Sequence, residues 1–213
     1  MKFTRIILAT VMLLGMASAS YGWSLDFEWG LGHDLEPVAS GVPGLQFTTT
    51  DGYDWIYSDI TTGLYNARND LGDVYGAGEY WMEGYVCTWL GTTQGAGRID
   101  FLDGNGSYFT TGYCSQSDFY LEAYDADNNL LDWDMGATNT YSAGGTGLNY
   151  LTVSSAANNI AYVLVHDTGN YFIVDNISGD ASGVEDPSIP EPATLLLLGA
   201  GLLGGGILRR KIR

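Results

Sequence analysis

The sequence predicts an all-β fold, an antiparallel β-sandwich of jelly-roll-like organisation, with an N-terminal signal peptide and a C-terminal single transmembrane helix. Three observations predict it. Between residues 20 and 182, about ten short apolar runs are separated by glycine, asparagine and aspartate, with no long helical period among them. Within the runs, apolar and polar residues alternate as a half-buried strand requires. Each end of the 213-residue chain carries an uncharged stretch beside basic residues, which leaves room for one ordinary domain between two targeting segments.

The leader comes first. Lys2 and Arg5 form a basic start, 6–14 is apolar, and Ala17, Ser18 and Ala19 form a small-residue cleavage site. The expected division is a signal peptide over 1–19, an exported sandwich over 20–182, a polar linker over 183–188 and a terminal segment over 189–213. No internal repeat is present.

Within the sandwich the expected strands are 45–49, 54–57, 80–90, 97–102, 107–111, 118–125, 130–134, 148–153, 160–166 and 171–177. In 118–125, Phe119, Leu121 and Ala123 share one face while Tyr120, Glu122 and Tyr124 share the other. Asp103, Gly104, Asn105 and Gly106 read as a hairpin turn, because Asn and Gly tolerate positive φ. Asp125, Asp127 and Asn129 alternate like the start of a calcium loop. Leu130 stands where such a loop needs glycine and no closing Glu follows, so the stretch reads as a turn. Three glycines in 141–147 mark a surface loop. In the last strand Asp175 and Asn176 must point to opposite faces, so at least one approaches a buried environment and needs hydrogen bonds or a cation.

Charge excludes one class of function. Outside the basic leader and the basic C-terminus only Arg68 and Arg98 remain, set against 25 carboxylates, a formal charge of −23. Nucleic-acid binding needs Lys and Arg for its phosphate contacts and is ruled out as a partner class. Such a surface favours divalent cations, or is simply solvated, and is repelled by strongly anionic polymers. Cys87 and Cys114, an even pair in an exported chain, point to a disulfide; two buried thiols are the alternative, and a metal site lacks a neighbouring Cys or His.

The terminal segment holds three signals in order. Pro190, Glu191 and Pro192 precede an uncharged Leu/Gly run over 193–208, followed by Arg209, Arg210, Lys211 and Arg213. As a helix the run reaches roughly 24 Å, which spans a bilayer only with snorkelling flanks or local thinning. The basic flank places the C-terminus inside the cell and the sandwich outside. Together these residues resemble the PEP-CTERM sorting signal of Gram-negative bacteria. The resemblance implies an exosortase as partner, an inner-membrane-anchored precursor with a periplasmic domain, and an association with extracellular polysaccharide and biofilm at the cell surface or in the matrix. It covers about 25 residues and bears on sorting rather than on the cargo.

Two further stretches, 120–131 and 171–177, are similar to exported sandwich domains of such proteins and to the galactose-binding-like jelly rolls of carbohydrate-binding modules. That similarity implies a structural calcium between an acidic residue near the first strand and an Asp of the last, here Glu28 and Asp175; no other cofactor is implied. It also implies sugar-stacking aromatics, for which Trp55, Trp81, Trp89 and Trp133 lie in or beside strands, although core packing is the commoner use of tryptophan. Trp81 and Trp89 share a face only if one unbroken strand joins them, and Gly84 allows a bulge.

Catalysis finds little support. His33-Asp34 and His166-Asp167 are adjacent pairs, and neighbours in a strand point to opposite faces. No nucleophile elbow, phosphate loop or zinc spacing occurs, and no carboxylate pair can be singled out for glycoside hydrolysis. The expected function is therefore a non-enzymatic surface or matrix component. A carbohydrate-binding module with a defined glycan is the alternative, and a matrix-sugar enzyme the third reading.

Overall fold

The computed structural model describes residues 22–38, 41–59, 67–68, 80–81, 84–90, 95–140, 143–169, 171–185 and 187, with backbone only at 67, 68, 80 and 81. The leader, the sorting residues Pro190 to Pro192, the run 193–208 and the basic residues Arg209, Arg210, Lys211 and Arg213 lie outside the described residues. Among those described, no helix is long and apolar enough to cross a membrane.

The strands in chain order are β1 (Trp23–Leu25), β2 (Leu45–Thr49), β3 (Ile56–Asp59), β4 (Ala67–Arg68), β5 (Tyr80–Trp81), β6 (Val86–Trp89) and β7 (Gly97–Phe101). Then come β8 (Tyr108–Ser115), β9 (Phe119–Tyr124), β10 (Leu130–Gly136), β11 (Asn149–Ser154), β12 (Tyr162–His166) and β13 (Phe172–Gly179), with a single 3₁₀ turn at Glu28–Gly30. Two antiparallel sheets result. One runs β11-β8-β13-β6-β3, with β1 also paired to β13; the other runs β10-β9-β12-β7-β2. The pairing is nested, β8 with β13 and β9 with β12, which is the wrap of a jelly roll.

Alternation places the core. Leu45, Phe47, Ile99, Phe101, Phe119, Leu121, Val163 and Val165 from one sheet meet Val86, Phe109, Tyr113, Val153, Phe172 and Val174 from the other. Large aromatic residues bind the layers together. Tyr113 stacks on Phe119 at 4.6 Å between ring centroids, and Phe119 meets Phe172 edge-on at 4.9 Å. Each such ring buries more apolar area than an aliphatic residue would, so few layers suffice for a small sandwich.

Several expectations are corrected. Residues 80–90 are not one strand, because Gly84 adopts φ +73° and turns the chain between β5 and β6. The turn at Asp103 to Gly106 does not close a hairpin: β7 and β8 belong to different sheets, and Gly106 pairs with Ile160 instead. Gly112 does not end its strand. A Cβ there would meet the Asp175 carbonyl oxygen at 2.8 Å, so the glycine permits the close approach of β8 to β13.

The disulfide is also corrected. Cys87 and Cys114 are both free thiols, fully buried with Ile173 on the side of the six-stranded sheet that faces away from the main core. β13 runs between their strands β6 and β8. Two strand spacings amount to roughly 9–10 Å, beyond the roughly 7 Å limit on Cα separation across a disulfide.

Past β13 the chain stays docked. Ala181 is buried, Val184 packs on the core, and the Glu185 N–H donates to the Pro43 carbonyl. The expected linker thus begins against the sandwich, at the end where Trp23 enters the first strand and donates its indole N–H to the Ala181 carbonyl.

Candidate functional site

The alternation that buries one face of β9, β12 and β7 leaves the other face of the five-stranded sheet carrying an ordered set of polar and aromatic side chains. Register fixes their rows. Met135, Tyr120 and His166 align in one; Trp133, Glu122, Leu164, Arg98 and Thr48 in the next; Tyr124, Tyr162, Asp100 and Gln46 in a third. Rows lie two residues apart along the strands, roughly 7 Å, and the span from Trp133 on β10 to Arg98 on β7 is about three strand spacings, roughly 14 Å.

Neighbouring rings on this face stack. Tyr120 lies over His166 at 5.1 Å and Tyr124 over Tyr162 at 5.0 Å, with interplanar angles of 11° and 5°. Between the two stacks sits Glu122. Its Oε2 accepts the Tyr124 hydroxyl at 2.7 Å, and its Oε1 is 3.8 Å from His166 Nε2. Burial, followed by this contact with Glu122, pushes the Tyr124 phenol up to about 12, so it is a hydrogen-bond donor at any physiological pH.

Arg98 holds the other side. Its guanidinium carbon stands 3.7 Å from the Tyr162 ring centroid, and its Nε and Nη2 both donate to the Asp100 carboxylate, at 2.9 and 2.6 Å. The hydrogen bond to Asp100 is the main reason its own pKa rises. A guanidinium stacked and forked in this way is pre-oriented, with donors left for an approaching hydroxyl. Trp133, 57 % exposed, and Met135, 45 % exposed, form the solvent-facing rim.

Among the described side chains of the tryptophans expected to stack on sugar, Trp133 alone presents a broad exposed surface on this face. Trp55 is corrected: it is fully buried, donates its indole N–H to the Thr48 carbonyl at 2.6 Å, and fills the space over Gly97, where a Cβ would come within 2.3 Å of the ring. Trp89 is partly buried against Cys87, Cys114 and Ile173 on the opposite sheet. The side chain of Trp81 lies outside the described residues.

Glu28 and Asp175, the expected calcium pair, each accept backbone N–H groups. Glu28 Oε1 accepts the backbone N–H of Tyr85 at 2.7 Å and of Val86 at 3.0 Å, which ties the 3₁₀ turn to the start of β6. Asp175 is fully buried at the bulge of β13, where its Oδ1 accepts the Asn176 N–H at 2.7 Å. Among the described residues no three Cys, His, Asp or Glu side chains gather in one place. The turn after β9 is closed by Asp125, whose Oδ1 accepts the N–H groups of Asp127 and Asn129, each at 2.9 Å, and the Asn129 contacts lower the Asp125 pKa.

Neither histidine is oriented by its following aspartate. Asp34 accepts the Asp59 N–H and His33 pairs with Glu36; Asp167 accepts the Ser115 hydroxyl and the Gly169 N–H while His166 lies on Tyr120. The sequence singles out neither Asp100 nor Tyr162, and marks Arg98 only as a rare basic residue and His166 only as half of a His-Asp pair. Tyr120, Glu122 and Tyr124 were legible as one strand face, but the cross-strand register that joins all seven comes only with the fold.

Residues 188–211 match the PEP-CTERM protein-sorting motif, and the chain is by that motif an exported protein sorted by an exosortase to the cell surface. No curated protein matches the chain. Among solved structures, the sandwich is similar to a DUF4465 family protein from Bacteroides caccae, at 15 % identity and a TM-score of 0.39, covering 75 % of this chain and 98 % of that one. It is also similar to the K3 cleaved adhesin domain of Lys-gingipain from Porphyromonas gingivalis, at 16 % identity and a TM-score of 0.36, with 75 % and 98 % covered. A third likeness is to the CBM22-1 and GH10 modules of a Clostridium thermocellum endo-1,4-β-D-xylanase complexed with xylohexaose, at 9 % identity and a TM-score of 0.36; it covers 74 % of this chain and 30 % of that one.

Proposed function

We propose that the protein is a non-enzymatic component of the cell surface or extracellular matrix which holds polysaccharide on the outer face of its five-stranded sheet. The carrying observation is the uncovered set of stacked rings flanked by charged and hydroxyl groups in fixed positions: Trp133, Tyr120 with His166, Tyr124 with Tyr162, and Arg98 forked to Asp100. Flat rings suit the C–H faces of sugar rings, and the guanidinium, carboxylate and phenol groups between them match equatorial hydroxyls. A width of roughly 14 Å exceeds a single ring and suits a chain. The charge of the exported sandwich over 20–182, two arginines against 22 carboxylates, favours neutral or cationic polymers over anionic ones.

In this reading the exosortase acts at or beside Pro190, Glu191 and Pro192 while the run 193–208 still anchors the precursor in the inner membrane. The matrix polysaccharide is then the lasting partner and biofilm the setting. Affinity electrophoresis of the full chain in gels containing matrix polysaccharide tests the binding half. The expected result is retardation that Trp133→Ala and Tyr120→Ala each weaken about tenfold, about 1.4 kcal/mol, with unfolding temperature unchanged. Equal mobility of wild type and variants in every polysaccharide would reject the sheet face.

A further inference from the structure

A concavity lies between the segment following β1 and β3, lined by Trp29, His33, Glu36, Pro37, Val38 and Tyr57, with a volume of about 280 Å³. Ligand pockets run from roughly 300 to 1,000 Å³, so this one admits a single small ring rather than a polymer. Its walls are preformed. Segment 31–38 is laced to β3 by Leu35 N–H to Tyr57 O, Tyr57 N–H to Glu36 O and Val38 N–H to Trp55 O, and Gly32 N–H donates to Asp59 Oδ2. Two glycines let the walls close in: a Cβ on Gly30 would meet the Tyr57 ring at 2.5 Å, and one on Gly41 the Tyr57 hydroxyl at 3.2 Å.

The polar groups converge on the same space. Trp29 Nε1 donates to the Tyr57 hydroxyl at 2.9 Å, which fixes the indole and leaves the phenolic proton to be given away. Burial raises the Tyr57 pKa and keeps that proton in place. At the rim the more than half-exposed His33 and Glu36 side chains pair, Nδ1 to Oε2 at 2.8 Å, and each keeps a second polar atom, Nε2 and Oε1, outside that bond. An indole wall, a buried donor and a paired donor and acceptor at the rim make an arrangement with apolar and polar sides.

We propose that this cavity is a second binding site, for one saturated, hydroxyl-bearing ring of hexose size, independent of the sheet face. The ring would rest on Trp29 and Pro37, accept the Tyr57 proton through one hydroxyl, and reach Glu36 and His33 with others. A free monosaccharide and the terminal unit of a glycan share this chemistry.

The test is titration of the isotope-labelled full chain, in a detergent without a sugar head group, with free hexoses, their methyl glycosides and short oligosaccharides, followed by the indole N–H signals. The expected result is saturable movement of the Trp29 signal with at least one hexose, weakened about tenfold by Tyr57→Phe and by Glu36→Gln and unchanged in Trp133→Ala. Binding of methyl glycosides and oligosaccharides as well as free sugars would assign the terminal unit of a glycan; binding of free sugars alone would assign the monosaccharide. The proposal is overturned if no hexose moves the Trp29 signal, or if Trp133→Ala abolishes the movement while Tyr57→Phe and Glu36→Gln leave it intact. Loss of polysaccharide retention in the electrophoresis experiment with Trp29 titration intact would reject the sheet-face reading alone.

Discussion

Arg98 lies 3.7 Å over the Tyr162 ring while its Nε and Nη2 both donate to Asp100, so one side chain joins the aromatic and charged halves of the five-stranded sheet's outer face. Arg98→Lys keeps the charge but removes the planar fork. The expected outcome is a loss of polysaccharide affinity of about tenfold against a stability change of only about 0.5–1 kcal/mol, the size of an exposed cation–π contact. Parallel affinity electrophoresis and thermal unfolding check it; a large fall in unfolding temperature with unaltered affinity would make Arg98 a structural residue.

Tyr124 offers a test of the same face by titration. Its phenol is pushed up to about 12 by burial and by Glu122, above an unfolded value near 10. A raised folded value favours the protonated form, so the stability it supports is complete below pH of about 10 and is lost as pH rises through about 12. Burial also raises the pKa values of Tyr57 and Tyr113, so alkaline difference absorbance should show a late-ionising group of tyrosines to which Tyr124 contributes. Tyr124→Phe should remove one tyrosine from that late group and Glu122→Gln should bring one earlier; a late amplitude unchanged in Tyr124→Phe would show the assignment to be wrong.

The buried thiols give a chemical count. Cys87 is fully buried, and burial, then the Asp175 charge, pushes its pKa well above the ordinary thiol value, so attack through the thiolate is suppressed in the folded protein. Maleimide added without reductant should leave the native protein unmodified and add twice once it is unfolded, as read by intact mass. Absence of both adducts in denaturant would mean that a Cys87–Cys114 bridge forms after all, and that β6, β13 and β8 are arranged differently.

Most of the sandwich was legible in the sequence because alternation survives without knowledge of partners. The run from Phe119 to Tyr124 shows its buried and outward faces in the order of its letters, the strand at 45–49 stands where it was expected, and the one expected over 97–102 runs over 97–101. Pairing was not legible. Asp103 to Gly106 has hairpin chemistry but joins strands of two sheets, because Phe101 and Phe109 pack against each other across the core, 6.1 Å apart, rather than along one ladder. The cysteines failed for the same reason: an even count says nothing of the strand between them. The site was half legible, with Trp133 named and Trp55 misassigned, since exposure depends on whether Gly97 lies opposite to leave room for an indole.

The two sheet edges are closed against each other by a device that predicts its own failure. β11 ends the six-stranded sheet, and its Thr152 and Ser154 N–H groups turn away from β8. Asp134 Oδ2 accepts the first at 3.2 Å and Asp132 Oδ2 the second at 2.8 Å, both from β10, the edge of the other sheet. These carboxylates occupy donors that would otherwise template an incoming strand, and they place negative charge where such a strand would lie. Removing both acceptors with Asp132→Ala and Asp134→Ala should cost about 1–3 kcal/mol, which for a chain of this size lowers the unfolding temperature by about 2–4 °C per kcal/mol. It should also raise concentration-dependent association through β11 above that of the wild type, measured by sedimentation velocity. The Asn variants keep an acceptor at each position and should associate no more than the wild type. Alanine variants that neither associate nor lose stability would show that water serves the two amides as well as the aspartates do.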